Sequence, residues 1–190
     1  MRYHRDDVLE HAHQLLSSYG LGALTMRRLG AELGVQPSAI YHHFANKQTL
    51  LAAVAEEILR RGKRPRTADA DDWPARLREV CDELRDAMLA CTDGADVVAT
   101  VWAFGMGVRA PAAELEGILR DAGLDDALAP VGSRTLLHYI FGHAFEEQTA
   151  IRAISAGAVE RELDSLPDFS TGLDVVIDGL RSRVEAAVRA

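Results

Sequence analysis

The chain has 190 residues, of which 48% are hydrophobic, 26% charged and only 6% aromatic. This composition is typical of a globular protein of one domain or two small ones, and it excludes disordered, collagen-like and disulfide-built chains. The start of the chain lacks the apolar core of a signal peptide, and no apolar run reaches the ~20 residues of a membrane-spanning helix. We therefore expect a cytoplasmic protein with no membrane partner, in which Cys81 and Cys91 are reduced core residues.

The net charge of -8 is unevenly distributed. Residues 1–64 carry nine Lys and Arg against six Asp and Glu, a net +3, together with five of the seven histidines. Residues 65–190 carry a net -11. The N-terminal segment is therefore where a polyanion is expected to bind.

Helical spacing of apolar residues recurs along the chain and no segment alternates like a half-buried strand, so the predicted fold class is all-α. Thr25 and Asn46 are typical helix-capping residues, and Pro37 suits a first helical position. Glycines at 20 and 34 are placed to end helices. The N-terminal segment is thus predicted to hold four helices, over about 8–19, 25–33, 37–44 and 47–58.

The stretch from Gly62 to Asp72 combines a helix-ending glycine, a proline and a charge run, which predicts a connection between two units. We place the boundary there, with one domain over 1–62 and a second over 63–190. Turns are predicted at 92–94, 105–107 and 123, with a loop from Gly157 to Asp168. The helices predicted in the second domain cover 73–91, 96–104, 111–122, 125–156 and 170–188.

Residues 25–44 read T-M-R-R-L-G-A-E-L-G-V-Q-P-S-A-I-Y-H-H-F, two short helices joined by a turn that contains glycine. This is the arrangement of a helix-turn-helix motif. Ile40 and Phe44, four residues apart, are predicted to face the core, which leaves Ser38, Ala39, His42 and His43 outward with Tyr41 at the edge. Such a helix fits the major groove of DNA. The alternative is a helical hairpin with a solvated face.

The strings L-T-M-R-R-L-G-A-E-L-G-V and S-A-I-Y-H-H-F-A-N-K-Q-T-L-L resemble the N-terminal domain of the tetracycline-repressor (TetR) family of transcriptional regulators, over residues 5 to about 60. The resemblance implies that one group of side chains faces bases: Arg27, Pro37, Ser38 and Ala39. It implies that a second group holds phosphates of double-stranded operator DNA: Thr25, Tyr41, His43 and Lys47. His42 completes the predicted DNA-binding surface.

The second domain also resembles the tetracycline-repressor branch of the family, through the strings at 92–95, 138–142, 145–148 and 169–180. The resemblance implies a homodimer in which the last two long helices of each subunit form a four-helix bundle. An apolar stripe on the final helix supports this interface, with Leu173, Val176, Ile177, Leu180 and Val184. Alternatively, the stripe covers the core of its own subunit.

The residues of the drug site depart from that branch. The histidine that binds drug-chelated magnesium aligns with Val98, and a drug-contacting asparagine aligns with Val80, whereas the carboxylate ligand remains as Glu146. Magnesium prefers several oxygen ligands, so we expect no metal, no cofactor and an apolar small-molecule effector instead of tetracycline. The predicted effector-binding residues are Leu84, Met88, Val98, Trp102, Phe104, Leu115, Leu119, Tyr139, Ile140, His143 and Glu146.

Two other functions stay open. His143 and Glu147 are spaced i, i+4 and could chelate a transition metal with His138 and Glu146, which would make the protein a metal-sensing regulator. The chain could also be a DNA-binding regulator with no small-molecule ligand. We do not expect an enzyme, because no H-E-x-x-H motif and no G-x-S-x-G motif around Ser133 occurs. The expectation is therefore a ligand-responsive transcriptional repressor.

Overall fold

The structure, a computed structural model, describes residues 3–107, 109–159 and 168–188. These residues form α-helices joined by turns, and none of them lies in a β-strand, so the predicted all-α fold class is confirmed. In chain order, the helices are α1 (Arg5–Tyr19), a 3₁₀ turn (Leu21–Ala23), α2 (Met26–Glu32), α3 (Pro37–Tyr41), α4 (Lys47–Arg61), α5 (Trp73–Leu89), α6 (Gly94–Ala103), α7 (Arg109–Asp121), α8 (Leu128–Ser155) and α9 (Phe169–Val188).

None of the helices in the described ranges combines the length and the apolar character that crossing a bilayer requires.

The chain divides into two compact units, the first made of Met1–Lys63 with Asp86–Val108 and the second of Arg64–Arg85 with Arg109–Ala190. In the first unit α1 packs on α2 and α4, α2 packs on α3, and α6 packs on α4. Its core is aliphatic with one buried aromatic ring, and its fully buried members include Leu16, Leu24, Leu29, Ile40, Phe44, Leu50 and Ile58.

In the second unit α8 packs on both α7 and α9. Leu77, Leu84, Leu115, Leu119 and Ile177 are among its fully buried side chains. Cys81 in this unit and Cys91 in the first are free thiols in the core, as predicted. Burial raises the pKa of both thiols, because a low-dielectric surrounding disfavours the charged thiolate.

Several helix bounds differ from the prediction by two or three residues. α3 ends at Tyr41 and not near Phe44, and it is followed by a turn in which the N–H groups of His43 and Phe44 both donate to the Ile40 carbonyl, at 2.9 and 3.0 Å. α8 begins at Leu128 and not at Asp125, whose carboxylate accepts the N–H groups of Ala127 and Leu128. Residues 160–167 of the predicted loop from Gly157 to Asp168 lie outside the described residues.

Candidate nucleic-acid interface and effector region

The helix-turn-helix begins at a capped helix. Thr25 is the N-cap of α2, and its hydroxyl accepts the N–H of Arg28 at 3.1 Å, so one of the unpaired N–H groups of the first turn is satisfied. Arg27 in that turn is exposed. The Arg28 guanidinium lies over the Tyr19 ring, 4.2 Å from its centroid, which holds the side chain against the end of α1.

The two helices of the motif cross at Gly30, which is buried in α2. A Cβ at this position would lie 2.9 Å from the Val35 carbonyl oxygen and 3.4 Å from the Pro37 nitrogen. Both atoms belong to the backbone and cannot rotate away, so the crossing requires glycine. Gly34, with φ of 65°, makes the left-handed turn between the helices.

α3 presents one face outward because its other face is anchored. Ile40 and Phe44 are 1% and 2% exposed, whereas Ser38, Tyr41 and His42 are exposed. The remaining members of the predicted surface on this helix and the turn after it are half-buried, namely Pro37, Ala39 and His43. Ala39 and His43 line a groove of about 600 Å³ together with Tyr3, which precedes α1, and Val8 of α1. Helical spacing in the sequence does not distinguish the exposed members of this surface from the half-buried ones.

Lys47 is the first residue of α4 and is half-buried. Asn46 caps this helix: its side-chain oxygen accepts the Thr49 N–H at 2.8 Å, and its own N–H donates to the Thr49 hydroxyl at 3.2 Å. The helix start is thereby fixed, and its free N–H groups and dipole favour an anion. All nine predicted DNA-binding residues thus lie at the N-cap and first turn of α2, on α3, in the turn after α3 and at the start of α4.

A turn from Cys91 to Gly94, here called the 91–94 turn, contacts the end of α1. The Asp93 carboxylate accepts the Leu21 N–H at 2.7 Å, and the Thr92 hydroxyl donates to the Ser17 carbonyl at 2.8 Å. Asp93 is the one non-glycine residue with positive φ among those described, at 57°. The sequence predicts this turn, through its Asp-Gly pair after a helix, but not its contact with α1.

The predicted effector-binding residues divide between the two units. Met88 and Val98 are fully buried in the first unit, where Trp102 is half-buried and Phe104 is 60% exposed. In the second unit, four predicted residues are core side chains: Leu84, Leu115, Leu119 and Ile140. Glu146 is exposed on α8.

Tyr139 and His143 form an aromatic cluster with Phe169. The Tyr139 ring stacks on Phe169 at 5.4 Å between centroids, and its hydroxyl donates to the Phe169 carbonyl at 2.7 Å. The His143 ring meets Phe169 edge-on at 5.1 Å. Burial raises the pKa of Tyr139, because the phenolate would be poorly solvated there. This cluster anchors α9 to α8.

The residues of the alternative metal site have other contacts. Glu147 accepts a bidentate ion pair from Arg85, with N–O distances of 2.7 to 3.1 Å, and lies 3.7 Å from His143. His138 and Glu146 are exposed. Across the part of the chain that the structure describes, no three His, Cys, Asp or Glu side chains are grouped so that they could hold a metal ion.

Most side chains of the apolar stripe on α9 are buried within their own subunit. Leu173, Ile177 and Val184 are at most 8% exposed, whereas Val176 and Leu180 are half-buried. The exposed apolar side chains nearby are Leu128 and Val131 on α8 and Val175 on α9, at 40%, 58% and 69%. We call these three the exposed apolar row. They line a groove of about 470 Å³ together with Leu180.

Comparison with known proteins supports this assignment of motifs. The family model "Bacterial regulatory proteins, tetR family" matches residues 8–54, and "Tetracyclin repressor-like, C-terminal domain" matches residues 64–165. Tetracycline repressor protein class C of Escherichia coli is 36% identical over 169 residues, which cover 85% of this chain and 72% of that protein.

Solved structures agree with the sequence matches. The crystal structure of BioQ from Mycobacterium smegmatis is 38% identical with a TM-score of 0.84, and the match covers 95% of this chain and 99% of BioQ. BioQ with its natural double-stranded DNA operator is 39% identical with a TM-score of 0.80, covering 94% and 98%. Dimers are typical of these regulators. The chain belongs to the TetR family of bacterial regulatory proteins, which bind operator DNA, respond to small-molecule ligands and are not enzymes.

Proposed function

We propose that this protein is a cytoplasmic repressor that binds its operator through the nine residues at the N-cap and first turn of α2, on α3, in the following turn and at the start of α4. The observation that carries the proposal is the presentation of α3. Ile40 and Phe44 are buried beneath it, while Ser38 and Tyr41 stand exposed on its outer side and His42 is exposed directly after it. A short, anchored helix with an exposed polar face suits the major groove, and the similar protein BioQ has been crystallised on its operator.

Phosphate contacts at Lys47 and Tyr41 make the first test. Lys47→Ala should weaken binding to operator and non-operator DNA alike, because phosphates carry no sequence information, and should reduce the salt slope by about one unit. Tyr41→Ala should weaken both by up to about tenfold and leave the slope unchanged, because the phenol is neutral. Fluorescence anisotropy with labelled duplexes over a range of salt concentrations measures both quantities.

Lys63→Ala is the matched control, because Lys63 is the other lysine of the chain and lies beyond α4. It should retain both the affinity and the salt slope. Full affinity and an unchanged slope in Lys47→Ala and Tyr41→Ala would place the DNA surface elsewhere on the protein.

We propose further that the effector is a small apolar molecule that contacts α6 at Val98 and Trp102. α6 packs on α4, whose first residue is the proposed phosphate contact Lys47. An effector that displaces α6 therefore acts on a helix of the DNA-binding unit directly. The family resemblance implies the same outcome, a shift of α4 that changes the distance between two recognition helices. Such coupling requires that the effector bind one of the two states better.

Tetracycline with magnesium tests the effector class. The Val98 side chain offers no nitrogen or oxygen to a metal, so micromolar tetracycline with magnesium should leave the operator complex intact in an anisotropy titration. Affinity for an apolar effector comes mainly from buried area, about 0.8 kcal/mol for each CH₂, and needs no divalent ion. Release by the chelate would contradict the proposal. Glu146→Gln would then show whether that carboxylate holds the metal, because it should abolish such release.

We propose that the protein forms a dimer through the exposed apolar row of α8 and α9. Apolar side chains that stand 40% to 69% exposed on neighbouring helices favour association with a second copy. Pairing also supplies a second helix-turn-helix, and two half-sites one DNA turn apart need both.

A further inference from the structure

A groove of about 760 Å³ crosses the surface of the second unit. It is lined on its sides by the connection at residues 66–71 and by the first turn of α5 at Trp73 and Arg76, and we call the face of α7 around Gly117 its floor. We call it the α7 groove. None of the residues assigned above to DNA, effector or dimer contacts lines it. We propose that the α7 groove binds a small organic cation that carries an apolar body.

The wall formed by the connection is held in place by hydrogen bonds to α5. The Glu79 carboxylate accepts the N–H groups of Thr67 and Ala68 at 2.9 and 2.8 Å, and the Thr67 hydroxyl also donates to it. These donors lower the pKa of Glu79, because they stabilise its ionised form. Glu83, which is 2% exposed, accepts the Arg64 N–H at 2.8 Å. The groove is therefore preformed and not a gap beneath a loose loop.

The floor of the groove contains a glycine in the interior of a helix. Gly117 lies within α7, and a Cβ built there meets no atom within 4 Å. No close packing requires a glycine here, although glycine destabilises a helix interior relative to alanine. The missing side chain leaves the floor open. This contrasts with Gly30, where a Cβ would meet backbone atoms.

The charged side chains that line the groove determine whether it attracts a cation or an anion. The Arg66 guanidinium is engaged by the carboxylates of Glu83 and Glu114, at 2.7 to 3.2 Å. Arg76 donates to the Ala70 carbonyl at 3.2 Å and lies 3.5 Å from Asp121. Both arginines thus have acceptors within the protein.

The acidic side chains outnumber the two arginines. Asp71, Glu114 and Asp121 line the groove, and the exposed Asp69 and Asp72 flank it. An anion would therefore meet net negative charge, whereas a cation is attracted. The half-buried Trp73 indole lines the same groove, and tryptophan is the aromatic ring that attracts cations most strongly. Carboxylates with an indole recognise an ammonium group attached to an apolar body.

Binding is testable with the 190-residue chain labelled with 5-fluorotryptophan. The chain has two tryptophans, so two fluorine resonances are expected, and a Trp73→Phe sample assigns them. Benzyltrimethylammonium is the probe, with benzyl alcohol and benzoate as its neutral and anionic counterparts. The cation should shift the Trp73 resonance in a saturable way and leave that of Trp102 in place. Both counterparts should bind at least about threefold more weakly, given the size of an exposed cation–π contact.

Two variants in different parts of the groove lining locate the site. Gly117→Leu should fill the floor and weaken the cation about tenfold or more, and Asp71→Asn about threefold. Glu116→Gln removes a charge from α7 outside the groove lining and should change nothing. Circular dichroism confirms that Gly117→Leu retains its helix content. Equal binding of cation and alcohol, a shift confined to Trp102, or unchanged affinity in both groove variants would each overturn the proposal.

Discussion

A Val175→Asp variant is expected to sediment as a monomer and to lose operator affinity by about a thousandfold or more. Val175 is 69% exposed on α9 beside Val131 of α8, so the folded subunit tolerates a charge there. In a two-fold dimer the substitution occurs twice in one interface. An unpaired charge buried in an interface costs about 3 to 5 kcal/mol, and each 1.4 kcal/mol is a factor of ten in the dissociation constant of the dimer.

Two control variants separate assembly from folding. Ser170→Asp adds the same charge to the exposed first turn of α9, away from the exposed apolar row, and should remain a dimer. Ile177→Ala removes a fully buried side chain from the same helix and should lower the free energy of unfolding by about 2 to 4 kcal/mol while the dimer persists. Sedimentation equilibrium gives the mass in each case. A Val175→Asp dimer of unchanged stability would show that another surface pairs the subunits.

The Asp93→Ala substitution should reduce the stability of the first unit by about 2 to 4 kcal/mol. The Leu21 N–H, which Asp93 accepts at 2.7 Å, would lose its partner in a part-buried position, at a cost of about 1 to 3 kcal/mol. Alanine also tolerates the left-handed backbone at φ of 57° less well than aspartate, which adds about 1 kcal/mol. Urea unfolding followed by circular dichroism measures the difference.

Two further substitutions at this position separate these causes. Asp93→Asn keeps a side-chain oxygen acceptor and tolerates the left-handed conformation, so it should cost less than about 1 kcal/mol. Asp93→Gly relieves the backbone strain but removes the acceptor, so its loss should fall between those of the other two variants. If alanine and asparagine destabilise equally, the hydrogen bond to Leu21 does not carry the stability of the 91–94 turn.

The N-terminal half of the fold could be predicted closely from sequence because its determinants are local. Thr25 and Asn46 act as the caps that the sequence predicted, and Gly34 adopts the left-handed turn. Capping and turn chemistry involve residues within three or four positions of one another, so spacing is sufficient to recognise them. Apolar spacing likewise placed Ile40 and Phe44 in the core.

The ends of helices and the half-buried residues of α3 and the turn after it could be predicted less well from sequence. His42 and His43 were predicted to lie on α3, but they follow it, in a turn where the Ile40 carbonyl accepts the N–H groups of His43 and Phe44. Ala39 and His43 are half-buried, and they line a groove together with Tyr3, which is distant from them in sequence. Helical periodicity gives the direction of a side chain but not what lies opposite it.

By itself the sequence determined the all-α fold class, the helix-turn-helix, the concentration of positive charge in the N-terminal segment and the membership of a regulator family. Only the tertiary structure decided which apolar residues of α9 stay available to a partner, since Ile177 of the predicted stripe is covered by its own subunit and Val175, outside the stripe, is not. It alone also decided that α6 and the 91–94 turn pack within the DNA-binding unit. The physical reason is that caps, turns and periodicity are local, whereas burial depends on contacts between segments as far apart as Leu21 and Asp93.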